Sequence, residues 1–389
     1  MEAKELPVRK LECLSCKYSD YRMSTREVGE IVPNECHRCG KDMRVVGTEY
    51  PNWLAGLLGF VLKHFDVLDF VAVDGRIEAE VTAQDPKSSF RALFDLSKPH
   101  GYLPVMREHE GELRLALFRS PKAKKGKIAI NLLLIVATFL TTFVVGYFFL
   151  FDSQSSQAAL FSCAIMLMLG VHEMGHKIAA WRNGVESTLP YFIPAPPPFI
   201  GTFGAVINIK SPIPTREALV ELGASGPLLG FIVALPLTVV GLMLSNPDPN
   251  GTALLFTPAI FAVLQVLAFG YVPAGVRFNP LAIAGWLALF VTMLNLIPAG
   301  QLDGGHVARG LMSRERHYTL TRILGFVLFL TFIPFPDLPL WIWGFLIVMF
   351  FRGYHPGALD DVSGISRRQK LLATAALIVF ILCLPLPMS

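Results

Sequence analysis

Residues 158–181 read AALFSCAIMLMLGVHEMGHKIAAW. A run of this length and apolarity is enough to cross a bilayer core of about 30 Å as a helix, yet it contains His172, Glu173 and His176. Such groups are costly in hydrocarbon and default to functional roles. The H-E-x-x-H spacing puts both imidazoles one helical turn apart on one face, where they can reach a single metal ion. Glu173 is rotated about 100° around the helix. It need not bind that metal and can instead take a proton from water beside it.

A catalytic zinc takes three protein ligands and keeps one position open. The third ligand is expected from a second apolar stretch, which closes with Asn295-Leu296-Ile297-Pro298-Ala299-Gly300-Gln301-Leu302-Asp303-Gly304-Gly305. Within the long apolar windows, Glu173 and Asp303 are the two acids far from any loop rich in basic residues. Pro298 breaks the helix, so the freed backbone can line a site rather than face lipid. Gly304 and Gly305 permit a turn or a close backbone approach. The competing role for Asp303 is a helix N-cap at the membrane surface. For the two histidines it is a structural polar pair, which the apolar surroundings disfavour. Asn295 suits hydrogen bonding to a developing oxyanion and, nearly as well, a polar contact joining helices.

Outward from this core the chain is uneven. Of its 389 residues, 53% are hydrophobic and 16% charged, against about 25% charged in soluble domains. Residues 1–127 have a mixed-charge, soluble character, and the rest is dominated by long apolar runs. The net charge of +4 is too small to argue for nucleic acid. No N-terminal apolar core of a signal peptide is read. Near the N-terminus, Cys13-x-x-Cys16 and Cys36-x-x-Cys39 stand 19 residues apart, a zinc-ribbon spacing that presents four thiolates to one ion. The alternatives are two disulfides, or free thiols in a disordered tail. Thiolate ligation suits a reducing compartment and places the N-terminus in the cytosol. Cys163 and Cys383 lie in apolar spans and read as packing residues. Residues 53–62 (WLAGLLGFVL) are too short to span and read as a buried or interfacial helix. Strand-like alternation at Arg76–Thr82 and Leu113–Leu117, with helical spacing at Lys87–Leu96 between them, predicts a small α/β unit.

The expected spans are Ile128–Phe151, Ala158–Trp181, Ala218–Leu244, Leu281–Ile297, Leu320–Ile333, Leu338–Phe351 and Leu371–Leu386. The basic run Lys122, Lys124, Lys125 and Lys127 puts the entry to the first span in the cytosol by the positive-inside rule. Arg182, Arg309, Arg314 and Arg316 then belong to the same side, which requires an even number of crossings between them. Thr252–Val272 is the odd segment out and is predicted to be re-entrant or peripheral. Gly201–Lys210 (GTFGAVINIK) reads as a strand. Its open edge at membrane depth offers a docking place for an extended peptide, or else the hairpin only plugs the bundle. Gly223, Ser225 and Gly226 read as small residues for close helix packing.

HEMGH in a membrane helix, the Asn295–Gly305 pattern, GTFGAV and GASGP together resemble the site-2 protease family of intramembrane zinc metalloproteases, peptidase M50-like, over about residues 128–312. GTFGAVINIKSPIP and NPLAIAGW are most similar to the subgroup containing plant chloroplast members. The N-terminal Cys₄ pattern points instead to a prokaryotic, archaeal-type chain. The resemblance implies His172, His176 and Asp303 as zinc ligands, Glu173 as catalytic base and Asn295 as an active-site helper. It also implies hydrolysis of transmembrane substrate proteins in regulated intramembrane proteolysis, with zinc-bound water activated by Glu173. The outward loops are too short for a PDZ-like insertion, so the cytosolic region 1–120 is the candidate for substrate filtering.

The expected fold is a polytopic α-helical membrane protein of about seven spans plus the re-entrant or peripheral segment. It is divided into a zinc ribbon (1–48), a small cytosolic α/β domain with linker (49–127), a metalloprotease core (128–312) and C-terminal transmembrane helices (313–389). Two zinc ions are expected, one catalytic and one structural in Cys13, Cys16, Cys36 and Cys39. The expected partners are the bilayer and a transmembrane substrate docked on Gly201–Lys210, and the expected location is the cell membrane as a multi-pass protein. The alternative is a membrane metal transporter or a non-proteolytic relative. A transporter should repeat polar groups along several spans with internal symmetry, whereas here they converge on one point.

Overall fold

The computed structural model describes residues 7–49, 51–120, 128–197, 199–254, 256–334, 340–350 and 354–386. The Lys122–Lys127 run and part of the Leu338–Phe351 span lie outside them. The chain divides into two compact units, Met1–Lys122 with Leu359–Gly364, and Ala123–Ala358 with Ile365–Ser389.

The first unit is built on one sheet of eight strands: β1 Val8–Cys13, β2 Ser19–Met23, β3 Ile31–Val32, β4 Met43–Gly47, β5 Asp66–Val73, β6 Arg76–Thr82, β7 Tyr102–His109 and β8 Glu112–Arg119. Their order is β3-β4-β1-β2-β5-β6-β8-β7, with β2 pairing antiparallel to β5 through Tyr21↔Ala72 and Arg22↔Val71. The strands around the cysteines and those of the α/β region therefore share one hydrogen-bonded sheet. Alternation in β6 and β8 sends Ile77, Ala79, Val81, Leu115 and Leu117 to one face, as period-two geometry requires. That face packs against α1 (Asn52–Val61) and α2 (Pro86–Ser97) through Leu54, Leu57, Leu58, Phe90 and Leu93. Asp85 caps α2 by accepting from the N–H groups of Lys87 and Ser88, and Pro86 fits the first turn, which needs no donor there. Residues Leu359–Gly364 return to this unit, where the Met106 N–H donates to Leu359 O at 2.9 Å.

The second unit contains α3 (Ile128–Val145, continued by a wider turn to Leu150), α4 (Ser155–Arg182), a hairpin of β9 (Tyr191–Pro194) and β10 (Thr202–Val206), and α5 (Arg216–Met243). After these come α6 (Ala259–Phe269), α7 (Pro280–Asn295), α8 (Asp303–Leu311), α9 (Arg314–Leu330), α10 (Leu340–Phe350) and α11 (Arg367–Leu382). Among the described residues, three helices are long and apolar enough to cross a membrane: 128–150, 155–182 and 216–243. Leu132, Leu133, Val136 and Leu140 on α3 are more than half exposed, the surface expected of a lipid-facing helix. The sequence predicts about seven spans, but the remaining apolar helices are shorter. At 1.5 Å per residue the eleven residues of α6 reach about 16 Å, well short of a bilayer core. The strand expected over Gly201–Lys210 is shorter too. Gly204 takes φ +99° and the register shifts between Thr202 and Ala205, so regular pairing with β9 ends at Val206.

Helix α5 is the centre of the second unit, and glycines set how closely its neighbours come. A Cβ on Gly175 of α4 would lie 2.6 Å from Ser225 O on α5. One on Gly226 would fall on the His176 ring, and one on Gly230 would sit 3.2 Å from His172 Nδ1. One turn earlier along the same face of α5, a Cβ at Gly223 would meet the Asp303 backbone carbonyl in α8. Small residues at such crossings let backbones approach where lipid gives no hydrophobic push between helices. Gly226→Ala is expected to destabilise the bundle by about 1–3 kcal/mol through overpacking, read as a lower unfolding midpoint in detergent. An unchanged midpoint would mean that α4 and α5 can part at that point without cost.

Candidate metal centre

His172, Glu173 and His176 all face inward from α4, each about 5–6% exposed. Asp303 is the first residue of α8, yet its carboxylate does not cap that helix. It lies 3.2 Å from His172 Nε2 and 3.2 Å from His176 Nε2. The two Nε2 atoms are 3.1 Å apart. Three donors bound at 2.0–2.1 Å to a tetrahedral metal stand about 3.3 Å from one another, so this near-equilateral triangle fits a zinc ion with a fourth position left over. His176 Nδ1 is 2.7 Å from Leu222 O. A carbonyl only accepts, so Nδ1 carries the proton and Nε2 turns its lone pair toward the triangle, the usual way in which an outer partner fixes a ligand tautomer.

The turn between α7 and α8 puts Asp303 there. Helix α7 ends at Asn295, and Leu296–Leu302 folds back over the first turn of α8. A Cβ on Gly304 would strike Leu296 O, and one on Gly305 would lie 2.5 Å from Gly300 O, so the Gly-Gly pair is what the fold-back demands. The same turn brings Asn295 Nδ2 to 3.4 Å from His172 Nε2. Glu173 stands apart from the triangle, with Oε1 at 4.0 Å from His172 Nε2. Its other oxygen, Oε2, accepts the Ile207 N–H at 2.8 Å. All five residues expected in the membrane site thus come together. The Leu222 carbonyl and the Ile207 N–H are absent from the sequence reading, because backbone groups carry no residue signature. The one available hint is the glycine spacing at 223, 226 and 230.

In the first unit, Cys13, Cys16, Cys36 and Cys39 gather with their sulfurs within 4.8 Å of one another, and none is in a disulfide. Cys13 and Cys39 sulfurs are 3.5 Å apart, those of Cys16 and Cys36 3.7 Å. Zinc–sulfur bonds of 2.3 Å in a tetrahedron imply about 3.8 Å, so this set also fits the ion. The backbone N–H of Cys16 lowers the pKa of the Cys13 thiol, while, against the Lys41 N–H, burial and the three neighbouring sulfurs push that of Cys39 up, so the four thiols share their protons unevenly. Arg22 braces the second knuckle. It pairs with buried Asp20 at 2.6 Å and donates to Glu35 O at 2.9 Å, next to Cys36.

Comparison with known proteins bears on the membrane segment. The model of Peptidase family M50 matches residues 160–333. The probable zinc metalloprotease EGY2, chloroplastic, of Arabidopsis thaliana is 32% identical over 237 residues, covering 57% of this chain and 41% of the relative. The probable zinc metalloprotease EGY1, chloroplastic, of the same plant is 31% identical over 231 residues, with the same coverage of 57% and 41%. The Oryza sativa subsp. japonica protein named EGY1 is 31% identical over 224 residues, covering 54% of this chain and 38% of its own length. The chain thus spans about two fifths of the length of these relatives. No solved structure matches. The residues matched by the Peptidase family M50 model include His172, His176 and Asp303.

Proposed function

We propose that this chain is an intramembrane zinc metalloprotease that hydrolyses peptide bonds of transmembrane substrate proteins. The observation that carries the reading is the 3.1–3.2 Å triangle of His172, His176 and Asp303 donors, with the Glu173 carboxylate beside it, inside a bundle of membrane-length helices. His172, His176 and Asp303 would hold the ion. When bound, zinc supplies a Lewis acid that brings the pKa of water down to about 7. Glu173 takes the proton at Oε1 and returns it to the leaving amine. The Asn295 amide is within reach to donate to the carbonyl oxygen as negative charge develops there. The triangle leaves a position open, which a closed structural site would not.

A helical substrate hides its peptide bonds in its own hydrogen bonds and must unwind before hydrolysis. The β9–β10 hairpin lies beside Glu173 through Ile207, which supports docking of an extended segment on the strand in Gly201–Lys210. We read 1–48 as a zinc ribbon, 49–127 as a cytosolic α/β region, 128–312 as the protease core and 313–389 as further membrane helices, about seven spans in all. The basic run at Lys122–Lys127 and the free thiols of the Cys₄ set support a cytosolic N-terminus in a multi-pass cell-membrane protein. The Cys₄ set, which lies outside the residues that the family model matches, supports a prokaryotic member.

Full-length protein in vesicles with a tagged membrane substrate tests this reading. Glu173→Gln is expected to keep zinc at the His/Asp site and to lose cleavage by at least about 100-fold. Cleavage by Glu173→Gln at the wild-type rate would sink the mechanism. Asp303→Asn is expected to lose zinc from the membrane site while the thiolate site stays filled, as read by metal analysis with and without thiol modification. Equal metal content in wild type and Asp303→Asn would remove Asp303 from the ligand set.

A further inference from the structure

Each polar group on the lower half of α4 has a partner, and together these partners trace a path. Lys177 follows His176 directly, but its Nζ turns away from the triangle to donate to Thr188 O at 3.2 Å and Ser187 O at 3.4 Å. Thr188 in turn is fixed to the strand opposite: its N–H donates to Asn208 O at 3.1 Å and its Oγ1 accepts the Asn208 N–H at 2.9 Å. The adjacent bridge Ser187↔Ile209 continues this short ladder. Ile207 sits between that ladder and the end of β10, outside both, and its N–H is the group that reaches Glu173 Oε2 at 2.8 Å. A buried carboxylate needs such a donor to be held in one orientation.

We propose that the Ile207 N–H is the positioning group for the Glu173 carboxylate, and that Lys177 and Thr188 are positioning residues that hold Ile207 in place. The inference rests on reading Glu173 as the proton-transferring base. With Oε2 occupied by the amide, Oε1 is the oxygen left facing the donor triangle, 4.0 Å from His172 Nε2. The orientation of the base is thereby tied to a loop that also forms the hairpin. A substrate strand that pairs with the hairpin and shifts residue 207 would move the base with it. Neither Lys177 nor Thr188 touches the reacting atoms, so both act through the amide.

The test uses the full chain in vesicles, with the same tagged substrate. Ile207→Pro removes the N–H. It is expected to lower kcat by about 100-fold, the scale of an ångström-sized misplacement at a reacting group, with KM within about twofold and zinc content retained. Ile207→Ala, which keeps the N–H, is expected to fall by less than about fivefold. Lys177→Met is expected to lower kcat in the same sense, and Lys177→Arg to restore most of it. A second measurement does not depend on turnover: amide hydrogen exchange at Ile207 should be slow in the wild type and accelerate in Glu173→Ala. Ile207→Pro with wild-type kcat, a loss expressed in KM alone, or exchange at Ile207 unaffected by Glu173→Ala would each overturn the proposal. Failure of the parent reading looks different, since Glu173→Gln would then remain active whatever Ile207 does.

Discussion

Three donor atoms from two separate chain segments meet within 3.2 Å of one another in an apolar bundle, and much of the second unit is arranged around that meeting. Two imidazoles and a carboxylate at membrane depth are expensive unless they are paired or shared with a cation. The pairing requires α4, α5 and the start of α8 to approach more closely than ordinary side chains allow. Glycine supplies that closeness at 175, 223, 226 and 230, and the Gly304–Gly305 pair folds Leu296–Leu302 back over α8. The Leu222 carbonyl then fixes His176 in the tautomer that ligation needs. The same helix, α5, gives both the clearance and the outer hydrogen bond, so positioning and packing cannot be separated there.

The two candidate metal clusters, one of four cysteines and one of two histidines with a carboxylate, differ in donor number and in what supports them. Four thiolates surround a centre completely and leave no place for a reactant, which is what a structural site requires. Two imidazoles and one carboxylate are three donors where a tetrahedral ion takes four, and Glu173 Oε1 lies 4.0 Å from His172 Nε2. Around the cysteines the support is a buried ion pair of Arg22 with Asp20 and a hydrogen bond to Glu35 O. Around the histidines it is backbone carbonyl and amide, as suits a place where further charge would be costly.

Side-chain chemistry at fixed spacing was legible in the sequence. The H-E-x-x-H face, Asp303, Asn295 and the four cysteines are residue types whose chemistry is explicit, and their spacings are local. Alternation likewise revealed β6 and β8, because one face of each is covered and the other is not. What escaped was carried by backbone or by distant pairing. The union of β2 with β5 depends on register between segments whose patterns look independent. The return of Leu359–Gly364 to the first unit is a contact some 250 positions away with no patterned side chain to announce it. The strand read as Gly201–Lys210 shifts register around Gly204, where φ is positive, and its pairing with β9 ends at Val206, neither of which the hydrophobic pattern announces.

Polar residues in the membrane helices around the hairpin follow one economy. Asn131 of α3 donates to Leu189 O at 3.2 Å and Pro190 O at 2.8 Å, just before β9. Thr141 of the same helix places its Oγ1 2.6 Å from Gly201 O, just before β10. Lys177 of α4 takes the carbonyls of residues 187 and 188. Irregular backbone at membrane depth is tolerated only where its groups find partners in the protein or in water, and here three costly side chains answer carbonyls at the hairpin's roots. A loop that served merely to fill space would be more cheaply built as an apolar turn of helix. Among the described residues the hairpin has two strands, and the Ile207 amide that follows it reaches the Glu173 carboxylate at 2.8 Å, so the same anchored backbone borders the donor triangle.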